Sequence, residues 1–331
     1  MINPIIYPSA AEFWLNPNLK YDYPDLYDRK WKYVSIPKHY KSMTNPKAAR
    51  YIAEELQLSY PVHILSQEMK KRCVKAQFVC RCRQLQFPPK SFIKISEEVI
   101  DKENVNFFIA TPELCFLEAA HQLSLIELIR FGFDLCSMYV PDENAEFGQS
   151  SRKPITTPKL LSEYLSKADG FYGVKKARRA VKYVLENSNS PMETKLAMIM
   201  ELPFSMGGFG LPKPKLNHSI KLDAAGRKLL GYEAIKCDIA WPDRKRAIEY
   251  NSNMCHLTPQ QITEDSNRQT ALSRLGYKVI SLTAGNVNFV SNIESIMASV
   301  RRLLGLRKET EKLKKYAEER RQLEKWLFYD S

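Results

Sequence analysis

Apolar and polar positions alternate differently in the two halves of the chain. Residues 1–60 are rich in Pro and Tyr and mostly irregular, with one predicted helix over 46–58, where Asn45 is the cap and Pro46 takes the first helical position. Strand-like runs follow: "PVHILS", "KAQFVCRC", "SFIKIS" and "VNFFIA" alternate and carry β-branched or aromatic side chains. Residues 111–140, opening on Thr111-Pro112-Glu113, switch to apolar positions spaced three and four apart and predict helix. The polar stretch "PDENAEFGQSSRKPITTP" (141–158) predicts the main domain boundary.

Beyond it, "TPKLLSEYL" and "GVKKARRAVKYVLEN" predict two helices, read as a basic linker over 151–187. From Ser190 the pattern is a helix ("SPMETKLAMIMELP"), strands ("HSIKLDAAG", "GYEAIKCDIAWP", "RKRAIEYNS"), an amphipathic helix ("TPQQITEDSNRQTALSRLG"), a strand ("YKVISLTA") and a helix from about Asn292. The charged tail 306–331 predicts a further helix and a possible docking arm. The expected class is α/β in the α+β sense: an α+β domain over 1–150, then a mixed sheet flanked by helices over 188–305.

Composition narrows the partners. The chain has 331 residues, of which 50 are Lys or Arg and 37 Asp or Glu, a net charge of +13. Such an excess suits a polyanion, nucleic acid before an acidic membrane surface, because each neutralised phosphate releases counterions. Lys175, Lys176, Arg178, Arg179 and Lys182 crowd one predicted helix, either as a solvated face or as phosphate contacts. No apolar run approaches bilayer length, and "MINPIIYPSAAEFW" lacks the basic start and apolar middle of a signal peptide. Seven scattered cysteines suggest free thiols and a cytoplasmic setting, and the tight pair Cys80/Cys82 has no second pair to complete a zinc site.

Turn arithmetic finds the candidate chemistry. "WPDRKR" reads as the turn of a hairpin, and if Trp241 opposes Arg246, Asp238 falls opposite Glu249 and Lys236 opposite Asn251. Strict alternation then puts Lys236, Asp238, Ala240, Ala247, Glu249 and Asn251 on one face, and Ile235, Cys237, Ile239, Trp241, Ile248 and Tyr250 on the other. Two carboxylates directly opposed repel, and a cation between them relieves the cost. Mg²⁺, or Mn²⁺ in its place, suits such an oxygen pair and serves phosphodiester cleavage. A register one residue off would instead leave the acids as surface groups.

These residues carry a resemblance. "SPMETKL", "LPKPKLNHSIKL", "YEAIKCDIAWPDRKRAIEYNSNMCH" and "EDSNRQTALSRLGYKVISLT", in that order over about residues 188–290, resemble the very-short-patch-repair-like endonuclease domains of the PD-(D/E)xK, or restriction-endonuclease-like, superfamily. The resemblance implies a restriction-endonuclease-like sheet, DNA as substrate, and Asp238 and Glu249 as metal ligands. It further implies Glu193 as the acid of the first core helix and His256 beside the scissile phosphate, with Asp265 and Arg268 bracing the site. Each residue also has a structural alternative: Ser190-Pro191-Met192-Glu193 is a good capping box, and Asp265 and Arg268 have the spacing of a surface ion pair. Where relatives commonly carry Asp, and the wider superfamily Lys, this chain has Asn251. Asn251 can offer an oxygen or donate a hydrogen bond but brings no charge, so Lys236 is the candidate to supply the cation from the neighbouring strand.

The first half resembles, more weakly, the C-terminal region of AbiEi-type antitoxin or regulator proteins, through "PVHILSQEMKKR" and "TPELCFLEAAHQLSLIELIRFGFDLCSMY". That resemblance implies a bacterial defence or mobile-element setting and a role in positioning a partner protein or the substrate. The expected function is a metal-dependent endonuclease or nickase on DNA, with RNA not distinguished by any residue. The alternative is a catalytically silent nucleic-acid-binding or antitoxin-like module that retains the nuclease fold.

Overall fold

The strand-forming runs of the first half assemble around β1 (Ile2–Ile5). In the computed structural model, which describes residues 1–37, 40–42, 46–66, 73–82, 87–251, 259–283 and 290–329, two units divide the chain between Val184 and Leu185. The first unit opens with β1 and the short helices α1 (Ser9–Trp14), α2 (Leu19–Asp22) and α3 (Pro24–Tyr27). There follow β2 (Tyr33–Val34), α4 (Pro46–Leu56), β3 (Val62–Ser66), β4 (Cys73–Val74), β5 (Phe78–Cys82), β6 (Phe92–Ile100) and β7 (Glu103–Ala110). These strands form one mixed sheet in the order β2-β6-β7-β1-β3-β5-β4, with β1 parallel to β7 and antiparallel to β3. The runs "PVHILS", "KAQFVCRC", "SFIKIS" and "VNFFIA" correspond to β3, β5, β6 and β7, whereas β1, β2 and α1–α3 lie in the stretch expected to be irregular; the α+β class holds.

Two helices occupy the apolar stretch that follows: α5 (Pro112–Gln122) and α6 (Leu125–Cys136). Thr111 caps α5 by accepting the Leu114 N–H, while Ser124 and Glu127 exchange hydrogen bonds as a full capping box that starts α6. The polar stretch at 141–158 contains a small hairpin, β8 (Tyr139–Pro141) with β9 (Gln149–Ser151). It is followed by α7 (Pro158–Leu165) and α8 (Val174–Ala180). These are not a linker. Leu161 and Leu165 of α7 and Ala177 and Ala180 of α8 are buried, and both helices pack on α5. Gly132 of α6 lies so near Val184 that a methyl group there would come within 2.5 Å of its Cγ2. The division falls at Val184 because the apolar stripe of residues 158–184 closes the first core, which a reading of polar composition does not reveal.

The second unit begins with α9 (Pro191–Glu201), then β10 (Lys215–Lys221), α10 (Ala224–Leu230), β11 (Ala234–Trp241) and β12 (Arg246–Asn251). It continues with α11 (Pro259–Arg274), β13 (Lys278–Thr283), α12 (Val290–Leu303), α13 (Thr310–Lys315) and α14 (Ala317–Phe328). The sheet order is β10-β11-β12-β13, antiparallel except for the β12–β13 pair. The strand expected over 218–226 stops at Lys221, because Asp223 accepts the Gly226 N–H and starts α10. The C-terminal tail is two helices, and α14 packs on α9 with Leu323 and Leu327 buried. Gly207, in the left-handed region at φ +86°, makes room for it: a Cβ there would sit 2.4 Å from the Glu319 carbonyl oxygen. The tail thus contributes Leu323 and Leu327 to the core of the second unit. Among the described residues no helix is long and apolar enough to cross a membrane.

Candidate active site

The hairpin register is the one that turn arithmetic predicts, with Trp241 opposite Arg246, Ala240 opposite Ala247 and Ile239 opposite Ile248. The face assignment is not. Ile235, Cys237, Ala240 and Ala247 share one apolar cluster with Ala271 and Leu272 of α11. Cys237 and Ala240 are three residues apart, so strict alternation would separate them. The slip occurs at Asp238. On the β10 side the ladder runs from Leu216↔Ile239 to His218↔Cys237 and skips Asn217 and Asp238, and Asn217 has φ +46°. One residue is skipped on each strand, so the register survives while both strands turn over.

Asp238 therefore leaves the ladder and reaches sideways. Its Oδ2 accepts the Tyr250 N–H at 2.7 Å, standing in for a strand bond. Burial raises its carboxyl above the ordinary carboxylate value, and the charge of Glu249 adds to the effect. Lys236 consequently does not form the expected ladder pair with Asn251: its side chain is exposed and its carbonyl is taken by Arg268.

Glu193, in the first turn of α9, is buried. Ser190 Oγ accepts its N–H at 3.2 Å and donates to Oε1 at 3.1 Å, while Oε2 accepts the Asn189 N–H at 2.9 Å. Ser190 is thus the N-cap, but the reciprocal bond of a capping box goes to the Asn189 N–H instead of that of Ser190. Oε2 also accepts the Asn217 side-chain amide, which in turn reaches the Asn187 carbonyl at 2.9 Å. Burial pushes the Glu193 carboxyl up to about 7, and the charge of Asp238 contributes in the same direction. Glu193 is therefore electrostatically coupled to Asp238 and holds the residue opposite it.

Glu249, also buried, faces α11. Arg268 Nε and Nη2 donate to its Oε1 at 2.9 and 2.6 Å, and Nη2 also meets the Lys236 carbonyl. The Cys237 thiol lies 3.9 Å from the same oxygen, and burial together with the Glu249 charge pushes that thiol up to about 12. Arg268 is thus engaged by Glu249 and the Lys236 carbonyl. Asp265 is exposed on α11 and forms no ion pair among the described residues. His256 and the side chain of Asn251 lie outside the described residues.

Asp238 and Glu249 each keep one oxygen, Oδ1 and Oε2, without a hydrogen bond among the described residues. Two carboxylate oxygens are a donor set of the hardness and number with which Mg²⁺ is commonly held, the remaining positions going to water and phosphate. Among the described residues no three or more His, Cys, Asp or Glu side chains are grouped to hold a metal. Sequence reasoning missed Asn217 and Cys237. Asn217 was signalled as the Asn of "PKPKLN", since Asn is among the residues that best tolerate a left-handed backbone.

The basic helix is partly structural. Lys176 Nζ donates to the Leu123 carbonyl at 2.7 Å, and Arg178 donates to the Leu165 carbonyl and pairs with Asp169 at 2.7 Å. Both cap the ends of neighbouring helices in the first unit. Lys175, Arg179 and Lys182 are exposed.

No family model and no solved structure matches the chain. It is similar to the uncharacterized proteins MT2308 and Rv2248 of two Mycobacterium tuberculosis strains, 29% identical to each over 118 residues, or 36% of this chain. The chain spans 39% of the length of these relatives.

Proposed function

We propose that the second unit is a restriction-endonuclease-like nuclease that cleaves DNA phosphodiester bonds with Mg²⁺ or Mn²⁺. The observation that carries the reading is that Asp238 and Glu249 lie on adjacent strands, near enough for the charge of Glu249 to raise Asp238, and each keeps one oxygen without a hydrogen bond among the described residues. Asp238 and Glu249 would hold the ion, which when bound polarises a phosphoryl group and lowers the pKa of its water. The protein's own residues orient these acids. Tyr250 N–H fixes Asp238, Arg268 fixes Glu249, and Glu193 with Asn217 keeps the strand turned at Asp238. The net charge of +13 supports a nucleic-acid partner. In this reading the first unit, with its AbiEi-like pattern, positions substrate or a partner protein in the cytoplasm of a bacterium.

Incubation with supercoiled plasmid and Mg²⁺ or Mn²⁺ tests the proposal. Nicked or linear product is expected from the unaltered protein and not from Asp238→Ala/Glu249→Ala. Equal behaviour of the two proteins overturns it.

A second reading has its own observation. The Arg268 guanidinium already neutralises Glu249, as a metal would, which suits a silent module that binds nucleic acid. That reading predicts duplex binding of equal strength in EDTA and in Mg²⁺, with no product.

A further inference from the structure

At the opposite end of β12 from Asn251, four cationic side chains line one cavity. Arg244, Arg246, Lys278 and Arg302 surround a volume of about 370 Å³, completed by Leu303, Leu304 and Gly305. That size is within the roughly 300–1,000 Å³ of small-ligand pockets. Among the described residues no carboxylate lines it. The topology causes the convergence. Arg246 and Lys278 are direct partners across the parallel β12–β13 pair, Arg244 ends the turn that leads into β12, and Arg302 lies in the last turn of α12.

Capping explains only part of this cluster. Arg246 Nε donates to the Leu303 carbonyl and Arg244 Nη1 to the Leu304 carbonyl, each at 2.9 Å, so both arginines close the C-terminal end of α12. A helix C-terminus carries only about half a negative charge, and the cavity holds four positive ones. Lys278 and Arg302 are exposed and form no ion pair among the described residues. Holding like charges together is unfavourable, and a bound anion reverses the sign of that term.

We infer that this cavity binds a phosphate group, in the first instance one on a nucleic-acid backbone. Arginine forks and a lysine point charge are the usual recognition elements for phosphate oxygens. Arg246 precedes Glu249 by three residues on the same strand, about 10 Å at the usual rise. An odd number of steps sends the two side chains to opposite faces of the strand, so the cavity is a site distinct from Glu249. The cavity is separate from the carboxylates, and the inference stands whether or not they cleave.

The test uses the full chain in EDTA, where no cleavage interferes. Lys278→Gln/Arg302→Gln removes two charges and leaves the Arg244 and Arg246 caps in place. Binding of a short labelled duplex is followed by fluorescence anisotropy across salt concentrations, and binding of inorganic phosphate by calorimetry. A variant with unchanged melting temperature should bind the duplex about tenfold more weakly, with a salt slope smaller by about 2. Lys278→Arg/Arg302→Lys should restore binding, since it keeps the charge. Loss of inorganic-phosphate binding with duplex affinity intact would support the phosphate site and assign it to a small phosphorylated ligand. Unchanged affinity and slope for the duplex, together with unchanged phosphate binding, would overturn the inference.

Discussion

Arg268 holds Glu249 by a single carboxylate oxygen: Nε and Nη2 both donate to Oε1, at 2.9 and 2.6 Å. Through the Lys236 carbonyl the same guanidinium also touches β11. One side chain of α11 therefore ties together the two strands that carry the candidate carboxylates. Arg268→Ala would leave a charged Glu249, whose side chain is only 11% exposed, without its partner. The expected cost is about 3 kcal/mol, the scale for breaking a buried pair. Arg268→Lys should recover only part, since an ammonium lacks the planar fork. Urea unfolding of the second unit measures both, and a loss below about 0.5 kcal/mol for the alanine variant, the scale of a surface substitution, would contradict the bracing role.

Asn217 makes a second, sharper prediction. Its φ of +46° disfavours a β-branched side chain, and its amide supports Glu193. Asn217→Val should lower stability by about 2 kcal/mol or more through strain and the lost hydrogen bond. Asn217→Gly keeps the backbone freedom and should cost less, despite losing the same bond. Melting temperatures in the reverse order would mean that the strand does not turn over at this position.

Glu201 supplies a pH dependence. Burial pushes its carboxyl from the ordinary 4.5 up to about 7, with Lys213 at 3.9 Å opposing weakly, and its Oε2 has no hydrogen bond among the described residues. The folded value lies above the unfolded one. Its contribution to stability is therefore fully present below about 4.5 and lost as pH rises through about 7. Glu201→Gln should have little effect at acid pH and should stabilise the second unit by up to about 3 kcal/mol at alkaline pH. Chemical unfolding across that range checks the sign. Burial raises Glu193 and Glu324 to about 7 as well, so the unaltered protein should lose stability over the same window.

Much of the local structure was legible in the residues. Ser190 and Thr111 announced their helices because capping is settled within four residues. The turn at "WPDRKR" set the register of Trp241 against Arg246 because hairpin pairing follows from the turn itself. That register holds as far as Ile239 opposite Ile248; beyond it Asp238 leaves the ladder for the Tyr250 N–H, while the charge of Glu249 still raises its carboxyl.

What lay beyond the sequence was decided by contacts between distant segments. The domain division moved from 141–158 to Val184 because α7 and α8 bury their apolar faces on α5, which no composition change marks. The C-terminal helix joined the core through Leu323 and Leu327 although its overall character is charged. Lys236 lost its expected place across from Asn251, and Cys237 came beside Glu249, because the strand turns over at Asp238 opposite a left-handed Asn217. The sequence by itself determined where the capped helices begin and how the hairpin pairs next to its turn, since those depend on interactions within a few residues or one turn. Only the tertiary structure decided which face each acid presents and which cation meets it, since both depend on segments brought together by the fold.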